Sequence, residues 1–225
     1  MAVFASLSLS LLALGAVLDF EALGAIADGG SNATTLQSNA DLLNRTLQSG
    51  LAAGDTLVFP NKTFHLQGGV IASGLRNVTL RFDGTLKFAN VRKAWPKKPD
   101  GKVMNCLELD DAEDIVLTSN GTGTLDGNGK KWWGAANYAI HQEDRPKLLQ
   151  VRNSARLLVE HLHLLNSPYW TTEFADVDQV VIRYCDIAVR WNADADDHSG
   201  LELTAFNTDG FDLSGSNVHI HDCNM

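Results

Sequence analysis

The sequence predicts an all-β fold, a parallel β-helix in which short strands stack coil upon coil, closed at its N-terminal end by a short capping helix. Three observations carry this prediction. First, five segments align without gaps: Asn77-Val78-Thr79-Leu80, Asp114-Ile115-Val116-Leu117, Arg156-Leu157-Leu158-Val159, Gln179-Val180-Val181-Ile182 and Asn217-Val218-His219-Ile220. Second, their second and fourth residues are always aliphatic while the residue between them varies in polarity, the period of a strand with one buried face. Third, their starts lie 37, 42, 23 and 38 residues apart. A constant strand on loops of variable length marks a solenoid rather than an evenly spaced propeller.

From the beginning of the chain, Met1 to Leu18 carries no charge and has a centre of Ser, Leu and Ala from Leu7 to Leu14. It reads as a secretory leader over residues 1–18, with small residues at Ala13, Gly15 and Ala16 near its cleavage site. The β-helix domain then occupies residues 19–225. Gly24-Ala25-Ile26-Ala27-Asp28-Gly29-Gly30 is rich in turn formers. Between Thr35 and Ser49, Leu36, Ala40, Leu43 and Leu47 recur at helical spacing, so an amphipathic helix is expected there, stopping near Gly50. It would cover the open edge of the first coil. Asp55 to Pro60 and Thr63 to Leu66 read as strands.

The chain is 44% apolar and 20% charged, enough for a sizeable core. Its net charge of −9 argues against nucleic acid as a partner, because phosphate binding needs clustered Lys and Arg. No stretch after the leader is long and apolar enough for a membrane span. The five sequons at Asn32, Asn44, Asn61, Asn77 and Asn120 fit a secreted glycoprotein. The three cysteines are Cys106, Cys185 and Cys223, an odd number. Cys185 and Cys223 follow the starts of two aligned segments by the same six residues, so they share a column, either as a disulfide or as two stacked thiols.

Three loops bear on chemistry. Gly127-Asn128-Gly129-Lys130-Lys131-Trp132-Trp133-Gly134 brings two indoles to tight turns, either as a platform for sugar rings or packed beneath the loop. Trp191-Asn192-Ala193-Asp194-Ala195-Asp196-Asp197-His198 alternates carboxylates but lacks the glycine and glutamate of a calcium loop, and no metal is expected. His161/His163 and His219/His221 alternate on strands and read as solvent-facing. The third loop is Asn207-Thr208-Asp209-Gly210-Phe211-Asp212. Alone it is a turn sequence. Set before a strand of the solenoid, it places Asn207 and Asp209 on one face, where they can hold a water. Hydrolysis of a glycosidic bond needs one carboxyl as acid and another as base, and Asp209 can be one of them. Asp212 faces the other way unless Gly210 kinks the chain. Nucleophile elbows, phosphate loops, dinucleotide fingerprints and zinc-protease signatures are all absent from the sequence.

Several of these stretches together resemble the polygalacturonase family, the pectin-degrading family 28 glycoside hydrolases. They are Gly24 to Gly29, Asp83-Gly84-Thr85-Leu86, Leu125-Asp126-Gly127-Asn128-Gly129 with Trp132-Trp133, Asn166-Ser167-Pro168-Tyr169-Trp170, and Asn207 to Asp212. Arg145-Pro146-Lys147 and Ser167 to Trp170 look more like exo-acting or rhamnogalacturonan-type members. The resemblance implies a secreted, extracellular, right-handed parallel β-helix that acts on pectic polysaccharide without a cofactor, as a monomer. It implies inverting hydrolysis of α-1,4-galacturonosyl linkages, with Asp209 among three catalytic aspartates and Asn207 and Asp212 at the substrate. The family's adjacent Asp-Asp pair, expected one coil after Asp209, and the Gly-His and Arg-x-Lys motifs that follow it do not occur between Asp212 and Met225. The expectation is therefore an incomplete catalytic set and a chain inactive by itself. The competing readings are a non-catalytic remnant or pectin-binding β-helix, and, with no calcium cluster or arginine base to support it, a pectate lyase.

Overall fold

The computed structural model describes residues 15–133, 144–190, 205 and 207–225. Most of the expected leader and the acidic loop Trp191 to His198 lie outside the described residues. β1 (Val17–Asp19) pairs in parallel with β2 (Thr56–Phe59), so the expected leader boundary at residue 18 falls inside a strand. Between them in sequence lies α1 (Ala33–Arg45), whose N-terminus is capped by Asn32 Oδ1 accepting the Thr35 N–H at 3.0 Å. Its last turn widens over Thr46–Gly50 before the chain becomes extended at Leu51. Leu36, Ala40, Leu43 and Leu47 are all buried, the face predicted from their spacing. Asn39, at 1% exposure, lies among them. It accepts from the Ile26 N–H (2.8 Å) and donates to the Ile26 and His65 carbonyls (2.9 and 3.0 Å), satisfying backbone groups of the first coil that have no strand above them.

The remaining strands are β3 (Thr63–Leu66), β4 (Val70–Ser73), β5 (Arg76–Phe82), β6 (Thr85–Phe88), β7 (Leu107–Asp110), β8 (Glu113–Thr118), β9 (Thr124–Asp126), β10 (Leu149–Arg152), β11 (Ala155–Glu160), β12 (His163–Leu165), β13 (Thr172–Arg183), β14 (Asp186–Ala188) and β15 (Phe211–His221). With β1 and β2 they form a ten-stranded and a five-stranded sheet, with parallel pairing throughout both. Parallel neighbours require crossovers, which wind right-handed, and the result is a right-handed parallel β-helix. The register confirms the aligned segments residue for residue: Val78, Ile115, Leu157, Val180 and Val218 form one column. Leu80, Leu117, Val159, Ile182 and Ile220 form the next. A third, Phe64, Leu86, Leu125, Leu164 and Ile187, lines the opposite sheet.

The first residue of each aligned segment lies within its strand but forms a corner in it. Asn77, Asp114, Arg156, Gln179 and Asn217 all take positive φ, between 52° and 58°. The large sheet turns at this column, and β13 and β15 each run through it as one long strand. Asn and Asp tolerate this left-handed geometry; Arg and Gln pay for it in strain. Among the described residues, no helix is long and apolar enough to cross a membrane.

Candidate active site

Where β7, β10, β13 and β15 stack, each contributes two inward residues flanking one outward residue. The outward ladder reads Glu108, Gln150, Glu173 and Asp212. Being outward does not make all of them exposed. Glu108 is 2% exposed, and a buried carboxylate must be paired and hydrogen-bonded. Asn105 donates its side-chain N–H to Glu108 at 2.8 Å, Lys98 Nζ approaches to 3.3 Å and Arg152 to 3.7 Å. The same Asn105 amide also donates to Gln150 Oε1 at 2.9 Å, Gln150 donates to Glu173, and Lys147 Nζ closes on Glu173 at 2.6 Å. A continuous polar chain thus runs across three coils and ends one rung below Asp212. The structure places Asp212 on the outer face, partly exposed, stacked on Glu173.

The rung carrying Asp209 is fixed from below. Ser167 Oγ and Thr171 Oγ1 lie 2.8 Å apart, and Thr171 Oγ1 donates to the Thr208 carbonyl at 3.3 Å. The Thr171 N–H donates to the Asp209 carbonyl at 2.8 Å. Thr172 donates to the Gly210 carbonyl through both its N–H (3.2 Å) and its hydroxyl (2.9 Å). Both threonine side chains are buried, at 0% and 1% exposure. They act as inward anchors for a backbone whose Asp209 side chain stands exposed. Asn207 is exposed too and takes φ 51°, a conformation asparagine accepts readily. Beneath this rung, Lys147 Nζ lies 4.2 Å from the Trp170 ring centroid and Arg145 lies 4.8 Å from that of Tyr169. Trp170 stacks on Tyr169 at 5.0 Å, and Arg145 Nη1 donates to the Pro168 carbonyl at 3.0 Å. The Arg145 and Ser167 stretches, separate in sequence, are therefore one layer of cation–aromatic contacts directly under Asp209. The arrangement offers an exposed carboxylate on a rung that does not need to reorganise, the condition for orienting a water.

A scan against protein families decides what this β-helix is: residues 52–225 match the family described as Glycosyl hydrolases family 28. The chain belongs to that family. A probable exopolygalacturonase B of Aspergillus terreus is 28% identical over 179 residues, covering 75% of the chain and 40% of that protein. A polygalacturonase of Chamaecyparis obtusa is 26% identical over 219 residues, 92% of the chain and 37% of that protein. The chain thus spans about two-fifths of the length of the curated relatives it matches. Among solved structures, the endo-xylogalacturonan hydrolase of Aspergillus tubingensis superposes with a TM-score of 0.70 at 20% identity, over 92% of the chain and 50% of that structure. The polygalacturonase of Erwinia carotovora ssp. carotovora gives 0.66 at 21%, over 93% and 54%.

Within this family 28 chain, two readings of the sequence are settled by geometry. Trp132 and Trp133 are 1% and 2% exposed, so the indoles pack beneath their loop and are no sugar platform. Trp132 meets Trp95 edge-on at 5.2 Å, and Trp133 Nε1 donates to the Ser167 carbonyl at 3.0 Å. Cys185 and Cys223 do share a column, and both are thiols, as is Cys106. Burial pushes the Cys185 thiol up to about 12. Sequence reasoning missed the Glu108–Gln150–Glu173 ladder. Its signal was present, because each residue sits between two inward residues of a stacked strand, but only the coil register reveals that they touch.

Proposed function

We propose that this chain carries one part of the active site of a secreted pectinase that hydrolyses α-1,4-galacturonosyl linkages with inversion. The observation that carries the reading is the exposed Asp209 on a rung pinned by Thr171 and Thr172, in a family 28 chain whose similar proteins include enzymes named polygalacturonase. Asp209 draws a proton from the attacking water. Asn207 and Asp212 border it and contact the sugar bound over the outer face. Lys147 is not assigned to the substrate carboxylate, because Glu173 at 2.6 Å already neutralises it. Inverting hydrolysis separates acid and base by roughly 6.5–9.5 Å to leave room for the water. The proposal gives the acid to sequence outside these 225 residues, consistent with the share of its relatives that the chain spans. The leader of residues 1–18 and the sequons fit release to the cell exterior.

The test is Asp209→Asn in any protein that contains this chain and hydrolyses polygalacturonate. The expected outcome is a fall in kcat of about 10²–10⁴-fold at unchanged thermal midpoint, with NMR of the first product showing the inverted anomer. Undiminished activity, or retention of configuration, sinks the reading. The 225-residue chain alone is expected to release no reducing ends; if it does, the divided catalytic set is refuted.

A further inference from the structure

The N-terminal edge of the fold carries an acceptor whose partner makes chemical sense as a chain end. Asp55 is 8% exposed. Its Oδ2 accepts the Ala52 N–H at 2.8 Å, and its Oδ1 accepts the Ala16 N–H at 2.7 Å. The Ala16 carbonyl in turn accepts the Thr56 N–H at 2.8 Å, and Val17 and Leu18 pair with Thr56 and Leu57. The two backbone N–H bonds satisfy this carboxylate, and replacing one of the neutral donors by a cation would make that bond charge-assisted and about twice as strong.

We infer that the chain is processed between Gly15 and Ala16, and that the new α-ammonium of Ala16 forms an ion pair with Asp55. This rests on the secretory reading above and puts the cut three residues before the boundary expected from the sequence. A leader peptidase needs small residues three before and immediately before the cut. Ala13 and Gly15 satisfy this for a cut after Gly15; Leu14 fails it for a cut after Ala16, and Leu11 fails it for a cut after Ala13. The structure supplies an independent argument. A cut after Ala16 takes away the donor to Asp55 and the acceptor of Thr56, and a cut after Leu18 also removes two of the three residues of β1. A cut after Gly15 keeps every one of these contacts and converts the amide donor at Asp55 into a cation. The step is peptide hydrolysis: water adds across the Gly15–Ala16 bond, leaving a carboxylate on Gly15 and an amine on Ala16 that takes up a proton at neutral pH.

The test begins with cell-free translation of the full chain in the presence of endoplasmic-reticulum microsomes, followed by N-terminal sequencing of the protease-protected product. This readout does not depend on folding. The expected product begins at Ala16, and Ala13→Leu blocks or moves the cut. A protected product beginning elsewhere overturns the inference and leaves secretion standing. A product that is neither protected nor cut overturns the secretory reading, and the inference with it. The ion pair is then read from the rate at which an amine-directed acylating reagent labels Ala16 in the secreted chain at neutral pH. Each unit by which Asp55 raises the amine lowers its free fraction up to about tenfold. Labelling is therefore expected to be several-fold slower than in Asp55→Asn, and equal rates in the two proteins overturn the pairing.

Discussion

The backbone N–H of Thr171 donates to the carbonyl of Asp209 across 2.8 Å. Because Thr171 is wholly buried, this bond ties the exposed acidic residue to the core of the coil beneath it. The hydroxyl of the same threonine bridges Ser167 and the Thr208 carbonyl at 2.8 and 3.3 Å. Thr171→Val keeps the volume and the backbone bond but deletes the bridge. It is expected to cost about 1–2 kcal/mol, read by urea unfolding. In a hydrolytically active protein it should also lower kcat more than it raises KM, because the loss falls on the placement of Asp209. An unchanged kcat would show that the hydroxyl bridge does not position the carboxylate.

The Lys147–Glu173 pair, at 2.6 Å with 17% and 18% of the two side chains exposed, invites a double-mutant cycle. Lys147→Met leaves a shielded carboxylate that keeps the Gln150 amide and the more distant Arg152 charge and is expected to destabilise by about 1–3 kcal/mol. Adding Glu173→Gln removes the stranded charge and should recover most of that loss. Additive single effects would show that the two groups do not couple.

How far the sequence could be read follows from where each residue's neighbours come from. Val78, Ile115, Leu157, Val180 and Val218 were legible as a column because the inward face of a strand forces a two-residue period that survives any loop length. The corner before them was not. Arg156 and Gln179 have no preference for positive φ, so nothing local announces the bend, and only the coil above and below imposes it. Asp209 was legible as a candidate because its short motif is local and specific. The layer that supports it was not, because Lys147 meets Trp170 and Gln150 meets Glu173 only once coils of unequal length are stacked. Trp133 illustrates the same limit. Its indole partner is the Ser167 carbonyl 34 residues on, and a loop read alone cannot say whether its aromatics face water or core.

Glu160 offers a pH test with a definite sign. Burial pushes its carboxyl up, but hydrogen bonds from Arg183 and Thr118 (2.7 and 3.0 Å to the nearest atoms) outweigh this and hold it below the ordinary glutamate range. A carboxyl lowered on folding adds stability that is fully present above its unfolded value, about 4.3, and is lost as pH falls through the folded value. The stability difference between the natural chain and Glu160→Gln should be flat from about pH 7 to 5 and shrink below about pH 4. A difference that widens on acidification would refute the assignment.

The five sequons are not equivalent once folded. Asn44 Nδ2 donates to the Gly69 carbonyl at 3.2 Å, and its Oδ1 accepts the Ile71 N–H at 2.8 Å, so its carboxamide ties α1 to β4. Asn61, Asn77 and Asn120 are exposed, and Asn120 Oδ1 accepts from the Thr122 N–H and hydroxyl at 3.1 and 2.6 Å, leaving its nitrogen turned to the tight turn's surface. A glycan on Asn44 would occupy the nitrogen that reaches Gly69. In material secreted by a eukaryotic host, peptide mass spectrometry after enzymatic deglycosylation is expected to find Asn61 and Asn120 occupied and Asn44 empty. Asn44→Gln should cost about 1–2 kcal/mol, because two part-buried backbone groups lose their partner, whereas Asn61→Gln should change stability by less than about 0.5 kcal/mol. An occupied Asn44 in cooperatively melting protein would mean that the α1–β4 tie is dispensable and that the burial of Leu36, Ala40 and Leu43 and the Asn39 bonds to Ile26 and His65 suffice to hold the helix to the first coil.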